Sequence, residues 1–149
     1  MKQETRQIIE KHLTDLKNRI IENHLAAGQK ASGKTAESLN IQNTDENSIG
    51  LFGRSHFAVL ETGRKGGKVP KGFYAIILKW IEDKRIDVEK PKTMAYFTAQ
   101  KIAREGTKLF RDGGRNDIFS APVEQAKRSI ESDVMKQAIS EVTNIKTNL

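Results

Sequence analysis

The 149-residue sequence contains no cysteine, which excludes disulfide bonds and cysteine-ligated metal sites. Apolar residues are scarce as well, at 36% of the sequence, and aromatic residues make up only 6%. The opening residues MKQETRQIIEKHL contain no apolar run of signal-peptide length, and no later run is long enough to span a bilayer. The length predicts a single domain over residues 1–149, made in a cytoplasm without a membrane anchor. The low apolar content suits either a thin or elongated domain or a subunit that completes its burial with partners.

Residues for catalysis are also few. The three histidines, His12, His24 and His56, are scattered, and no group of carboxylates or metal ligands accompanies them. We expect His12 and His24 to lie at the surface or rim of a helix, without a fixed acidic partner. His56 and Glu61 need not face each other in so short a segment, so we do not expect an acid–base pair. The sequence therefore predicts no enzyme, with no catalytic residue, no cofactor and no metal site.

One motif points towards nucleotide chemistry. Residues 28–35, GQKASGKT, match the phosphate-binding pattern Gly-x-x-x-x-Gly-Lys-Thr in full. The mechanism of that motif requires a buried strand before the loop and a helix after it, so that backbone amides surround the phosphate. Here an amphipathic helix pattern precedes the loop, and barely one turn separates Thr35 from a strand pattern. We predict no nucleotide site, and an ATP-dependent enzyme remains an alternative that rests on this match alone.

Positive charge is what the sequence has in excess. The formal net charge is +7, which favours an anionic neighbour such as nucleic acid, a membrane surface or an acidic protein face. A protein with a solvated basic surface has the same composition. The densest basic segment, RKGGKVPK, contains four cations, two glycines, one proline and no acid: Arg64, Lys65, Lys68 and Lys71. We expect an exposed mobile loop that forms a subunit or partner interface, and the alternative is a solvated loop that contacts nothing.

A short β-hairpin is predicted between residues 39 and 51. Leu39 and Ile41 alternate with polar residues, and Ile49 and Leu51 repeat the alternation after a polar corner over residues 44–47. Apolar residues two apart on both sides of a polar loop indicate two half-buried strands with a four-residue connection. A lone hairpin is only marginally stable, so we expect helices to pack on it, with Leu13, Leu16 and Ile20 facing the strands.

The rest of the sequence has helical periodicity. A first helix is predicted from Lys2 to Ala27, ended by Gly28. Residues 72–115 are predicted to form a helical insert, with one helix over residues 73–86 and a second capped by Thr93 and ended by Gly106. The segment over residues 108–115 is expected to be a mobile basic stretch.

A long C-terminal helix completes the predicted fold, which is α+β, with a small antiparallel sheet, long first and last helices and the helical insert. Ser120 is the expected N-cap of the last helix, and Pro122 suits its first turn. The apolar residues of this helix fall on one predicted face: Val123, Ala126, Ile130, Val134, Ala138, Val142 and Ile145.

Three short segments resemble the tail-completion, or head–tail joining, proteins of long-tailed bacteriophages. They are SGKTAESLNI over residues 32–41, HFAVLETG over residues 56–63, and FSAP over residues 119–122. Members of that family begin with a long amphipathic helix, continue into a hairpin and close with a long helix. Ala36 stands where the family has leucine or a basic residue, Phe57 stands for a tyrosine, and residues 73–115 exceed the short connector of compact members.

The resemblance implies a structural virion protein of the phage neck, without catalytic activity. Its subunits would form a homo-oligomeric ring, hexameric in the family, that joins the head connector and adaptor proteins to the tail tube. The genome DNA would pass through the centre of the ring, and Arg64, Lys65, Lys68 and Lys71 would line an interface or project towards the channel. The alternative from another class is a basic nucleic-acid-binding protein without catalytic activity.

Overall fold

The computed structural model of the protein describes residues 1–147, with side chains described as far as Asn144. The helices are α1 (Gln3–Ala26), α2 (Lys34–Glu37), α3 (Val59–Thr62), α4 (Phe73–Asp83), α5 (Pro91–Glu105), α6 (Lys108–Arg111) and α7 (Ser120–Thr147). The strands are β1 (Asn40–Asp45) and β2 (Ser48–Phe52), and a 3₁₀ turn spans Ser55–Ala58. The expected α+β fold, with a small antiparallel sheet and long first and last helices, is confirmed.

The hairpin turn is tighter than the sequence indicated. Only Glu46 and Asn47 connect the strands, because Asp45 already pairs with Ser48, and the four-residue connection predicted over residues 44–47 is wrong. Thr44 is the extra residue of a bulge, since Asn43 pairs with Ile49 and Asp45 with Ser48. The Asp45 carboxylate accepts a hydrogen bond from the Asn47 amide at 2.7 Å and closes the turn.

The first apolar cluster joins α1, the hairpin and the start of α7. Leu16, Ile20 and Leu39 are buried at its centre, and Leu13, Leu51 and Phe119 are among the residues that pack on them. The predicted contact between α1 and the hairpin is therefore confirmed for Leu13, Leu16, Ile20, Leu39 and Leu51. Ile41 and Ile49, nearer the hairpin turn, are half-buried.

Polar side chains fasten α1 to α7, which run antiparallel. Thr5 bonds Gln137 at 3.2 Å, Arg19 bonds Gln125 at 2.5 Å, and Lys2 pairs with Glu141. The apolar face predicted for α7 is not buried along its length, because polar residues hold the contact with α1 over the C-terminal half. Ala126, Ile130 and Val134 are half-buried, Ala138 and Val142 are exposed, and the side chain of Ile145 lies outside the described residues.

A second apolar cluster lies inside the insert, where α4 packs on α5. Ile77, Ile81, Ala95 and Ala99 are buried there. The helix predicted over residues 73–86 ends at Asp83, because Arg85 adopts φ +51° and two crossing bonds close the end. The amide of Ile86 donates to the carbonyl of Ile81 and that of Arg85 to Glu82, which is the Schellman pattern without its usual glycine.

Two further predictions about the insert are wrong. Thr93 lies inside α5, which begins at Pro91 after an N-cap at Lys90, because proline suits the first helical position. The segment over residues 108–115, expected to be a mobile basic stretch, begins with the one-turn helix α6 over residues 108–111, and the Arg115 amide at its end donates to the Glu61 carbonyl at 2.8 Å. The Thr107 hydroxyl accepts a bond from the Phe110 amide at 3.4 Å and caps that turn.

Candidate interaction surfaces

Glu61, in the segment HFAVLETG, caps α7 from a distance of almost sixty residues. Its side chain is only 3% exposed, and its Oε1 accepts bonds from the amides of Phe119 at 2.7 Å and Ser120 at 3.0 Å. The Ser120 hydroxyl donates to Oε2 of the same carboxylate. A carboxylate at a helix N-terminus satisfies free amides and interacts favourably with the helix dipole. The prediction that Ser120 is the N-cap of this helix is therefore wrong, because the amides at the start of the helix donate to Glu61 instead.

Glycines let the residues after Glu61 lie against the end of α5. Gly63 has φ +68° and ψ −175°, and a Cβ there would meet the Phe110 amide and Thr107 Oγ1. Gly66 and Gly106 are in similarly close contact, since a Cβ on Gly66 would lie 3.0 Å from the Gly106 nitrogen. Only glycine fits so near another backbone, so these residues fix the path of the chain between α3 and α4.

The basic segment over residues 64–71 has no regular structure, as expected, but its first half is fastened to the fold. The Arg64 amide donates to Thr107 Oγ1 at 2.9 Å, its carbonyl accepts from the Thr107 amide at 2.8 Å, and the Gly67 amide donates to the Ala103 carbonyl at 2.7 Å. The segment was expected to be a mobile loop, but these bonds fasten its first half to Ala103 of α5 and to Thr107, the residue before α6. Both partners are more than thirty residues away in sequence.

The four predicted interface cations fall into two groups. Arg64 is half-buried, stacks 5.3 Å from the centre of the Phe73 ring and donates to the Lys68 carbonyl at 2.8 Å. Lys65, Lys68 and Lys71 are exposed, and no carboxylate among residues 1–144 forms an ion pair with them. Arg64 thus contributes to the fold, whereas the three lysines have no ionic partner among these residues.

A cleft lies beside the lysines. It has a volume of about 400 Å³ and is bordered by Val69, Phe73 and Tyr74 on one side and by Tyr96 and Ala103 of α5 on the other. Tyr74 and Tyr96 are exposed and both border the cleft, and Tyr74 follows Lys71 by three residues. This combination can accept either an acidic peptide or the bases and phosphates of a nucleic acid.

The histidines differ from expectation in two of three cases. His24, expected at the surface, is 2% exposed, and its Nδ1 lies 3.4 Å from Gln29 Oε1. His12, expected to lack an acidic partner, lies with Nε2 3.0 Å from Asp133 Oδ2. His56 is exposed while Glu61 is buried against α7, so the structure does not bring these two together as an acid–base pair.

The segment matching the phosphate-binding pattern has the context that the sequence indicated. Helix α1 precedes it, and Lys34 begins α2, which is a single turn. Both features differ from the strand–loop–helix arrangement that holds phosphate in such loops. Within the described residues, no group of three or more histidine, aspartate or glutamate side chains is placed to hold a metal ion.

Two apolar surfaces were not foreseen. The first, here called the hairpin groove, is a concave space of about 360 Å³ between α1, the hairpin and the start of α7, lined mainly by apolar side chains that include Leu13, Phe52 and Val123. The second, here called the outer strip, comprises Met135, Ile139 and Val142 on α7, which are 65%, 60% and 56% exposed. The spacing of four and three residues in the strip was a signal available in the sequence.

Comparisons with known proteins found no match to the chain among family models, curated proteins or solved structures. Among the described residues, no helix is both long and apolar enough to cross a membrane.

Proposed function

We propose that this protein is a structural subunit of a bacteriophage neck that assembles into a ring between the head connector and the tail tube. The observation that carries the proposal is that the three segments resembling the neck family meet in space. Leu39, Phe57 and Phe119, one from each segment, belong to one apolar cluster. The rings of Phe57 and Phe119 lie 6.5 Å apart, edge to face, and Glu61 holds the Phe119 amide.

The accessible surface of the chain supports an assembling subunit. It measures 10496 Å², whereas a compact monomer of 16.8 kDa exposes about 7,700 Å². The excess of about 2,800 Å² exceeds the roughly 1,600 Å² that one subunit buries against two neighbours through standard interfaces. Large apolar side chains such as Ile76, Phe97 and Met135 contribute to this exposed area.

The proposed partners follow from the resemblance. The subunit contacts further copies of itself around the ring, with connector, adaptor and tail-tube proteins above and below it. The genome passes through the centre, and the protein resides in the virion after synthesis in the host cytoplasm. No catalytic step is part of this role.

The test is the mass and shape of the purified protein across a range of concentrations. Native mass spectrometry and electron microscopy should show closed rings, or rings that form once the connector or tube protein is added. A protein that stays monomeric at every concentration and with every neck partner would remove the proposal.

A basic nucleic-acid-binding protein is the second candidate, favoured by the free lysines beside the aromatic cleft. Replacing Lys65, Lys68 and Lys71 with serine should then abolish DNA binding measured by fluorescence anisotropy. The DNA affinity of the parent protein should fall steeply as the salt concentration is raised. The matched control replaces three dispersed exposed lysines and so removes the same charge: Lys30, Lys90 and Lys127. Equal binding by both triple variants would argue against a lysine site for DNA.

A further inference from the structure

We infer that neighbouring subunits associate by placing the outer strip of one copy into the hairpin groove of the next. The inference rests on the proposed ring assembly and names the two surfaces that build it. Both surfaces belong to the same chain: the outer strip is convex, and the hairpin groove is concave.

The outer strip is on the side of α7 that faces away from α1. At 100° per residue, Met135, Ile139 and Val142 lie opposite Asp133 and Gln137, which contact α1. The same outer side carries exposed polar residues nearer the start of the helix: Glu124, Arg128 and Glu131. The outer side of α7 therefore changes from charged to apolar at Met135. Both parts of this side face water in a single subunit, so contact with solvent does not explain the apolar part.

The hairpin groove provides a surface of matching chemistry. Its walls are the partly covered side chains of the α1–hairpin cluster, and Arg54 is a charged residue at its edge. A dry cavity of about 150 Å³ admits a benzene ring, so a space of about 360 Å³ admits more than one aliphatic side chain. An amphipathic helix that lays its apolar side into such a groove is a common mode of recognition.

A second copy is the occupant that the surface areas favour. A strip that packs on another strip would leave both grooves open to water, whereas a strip in a groove covers both apolar surfaces with one contact. Because the two patches are different surfaces of one molecule, the contact is heterologous, and repeating it produces a closed ring or an open filament. The excess surface of about 2,800 Å² is enough for one such contact on each side of every subunit.

The absence of cysteine makes the contact directly testable. Ile139→Cys and Phe52→Cys would be purified separately, mixed and oxidised; Phe52 lines the groove and is exposed. Covalent dimers are expected from the mixture and not from either variant alone, and a chain carrying both changes should give a ladder of larger species. Dimers formed equally by Ile139→Cys alone would overturn the inference in favour of a strip-to-strip contact.

A matched pair of charge variants provides the second readout. Ile139→Asp should weaken self-association at least about tenfold, because it places a charge in an apolar contact, and Phe97→Asp should leave it unchanged. Both residues are exposed, so circular dichroism and the melting temperature of each monomer should match the parent. A parent that forms rings which Ile139→Asp leaves intact would overturn this inference alone, whereas a parent that never assembles would overturn the proposed function itself.

Discussion

At the scale of single residues, Glu61 has the clearest role in stability. Its buried carboxylate accepts hydrogen bonds from two backbone amides and from the Ser120 hydroxyl. Glu61→Gln keeps the size but replaces the charge and one acceptor oxygen, so we expect a loss of about 1–2 kcal/mol in the free energy of unfolding. Urea denaturation measures this, with the exposed Glu46→Gln as control, expected within about 0.5 kcal/mol of the parent.

Gly63 should be as sensitive for a steric reason. Gly63→Ala would set a Cβ against the Phe110 amide and force alanine into a conformation that is essentially reserved for glycine. We expect a loss of at least about 2 kcal/mol in the free energy of unfolding. Gly28→Ala is the control, because Gly28 has a similar φ of +66° but a Cβ there meets nothing within 4 Å. Equal losses in the two variants would show that close packing at Gly63 is unimportant.

Residue environments were the least predictable part of the fold. His24 is buried and contacts Gln29, whose side-chain amide donates to the Leu60 carbonyl at 2.7 Å, and no local pattern reports that arrangement. Arg64 was grouped with three lysines by charge alone. Its partners, Thr107 and Phe73, become neighbours only after the chain folds.

At the scale of elements, the contact between α1 and α7 should depend on pH. The hydrogen bond from His12, and next that from Lys136, lowers the pKa of Asp133 below its ordinary value of 3.8. A carboxyl group with a lowered folded pKa stabilises the fold above its unfolded pKa, and this contribution is lost as pH falls through the folded pKa. Asp133→Asn should therefore lower the melting temperature near neutral pH. The melting temperatures of the variant and the parent should approach each other as the pH falls below about 4.

Glu131→Gln is the control for that comparison, since Glu131 lies on the exposed side of the same helix. It should follow the parent at every pH. A difference between Asp133→Asn and the parent that stays constant from neutral to acid pH would show that ionisation of Asp133 is not involved.

The contact between α1 and the hairpin depends on Leu16. It is buried in the first apolar cluster, so Leu16→Ala should lower the free energy of unfolding by about 2–5 kcal/mol. Leu25→Ala removes the same atoms from an exposed position of the same helix and should change stability by about 0.5 kcal/mol or less. Chemical denaturation of the two variants side by side gives the comparison.

Element boundaries were predictable where the sequence carries a known signal. Gly28 and Gly106 follow the ends of α1 and α5, as predicted. Prediction failed where a residue adopted a role that its type seldom has. Arg85 takes the left-handed position that usually belongs to glycine, so α4 ended earlier than its apolar pattern indicated.

At the scale of the whole molecule, stability should depend on concentration. A partner that binds only the folded state raises the melting temperature by mass action, and a second copy that docks as proposed would be such a partner. We expect the melting temperature to rise by several degrees when the protein concentration is raised about a hundredfold. Scanning calorimetry at several concentrations measures this, and a constant melting temperature would indicate that the folded chain does not self-associate in that range.

The two apolar clusters also predict that unfolding is least cooperative between the insert and the rest of the molecule. The cluster of α4 and α5 is made within residues 73–105, whereas the other joins residues that are a hundred positions apart. The two clusters have no residue in common, and the insert is fastened to the rest of the molecule by backbone bonds of the segment from Gly63 to Gly67 and by the bond from Lys84 to the Gly28 carbonyl. The overall architecture was predictable from sequence periodicity, but this division was not, because it depends on which helices face each other.

The pairing of Lys2 with Glu141 brings the start of α1 and the later part of α7 to one edge of the molecule. Fluorophores attached near Lys2 and near Glu141 would therefore lie close together. In a ring, such labels would mark a single circle at one height and would report the polarity of each subunit along the axis. The same nearness means that a short peptide linker from the later part of α7 to the start of α1 would keep both helices in place while new ends are opened elsewhere, as in circular permutation.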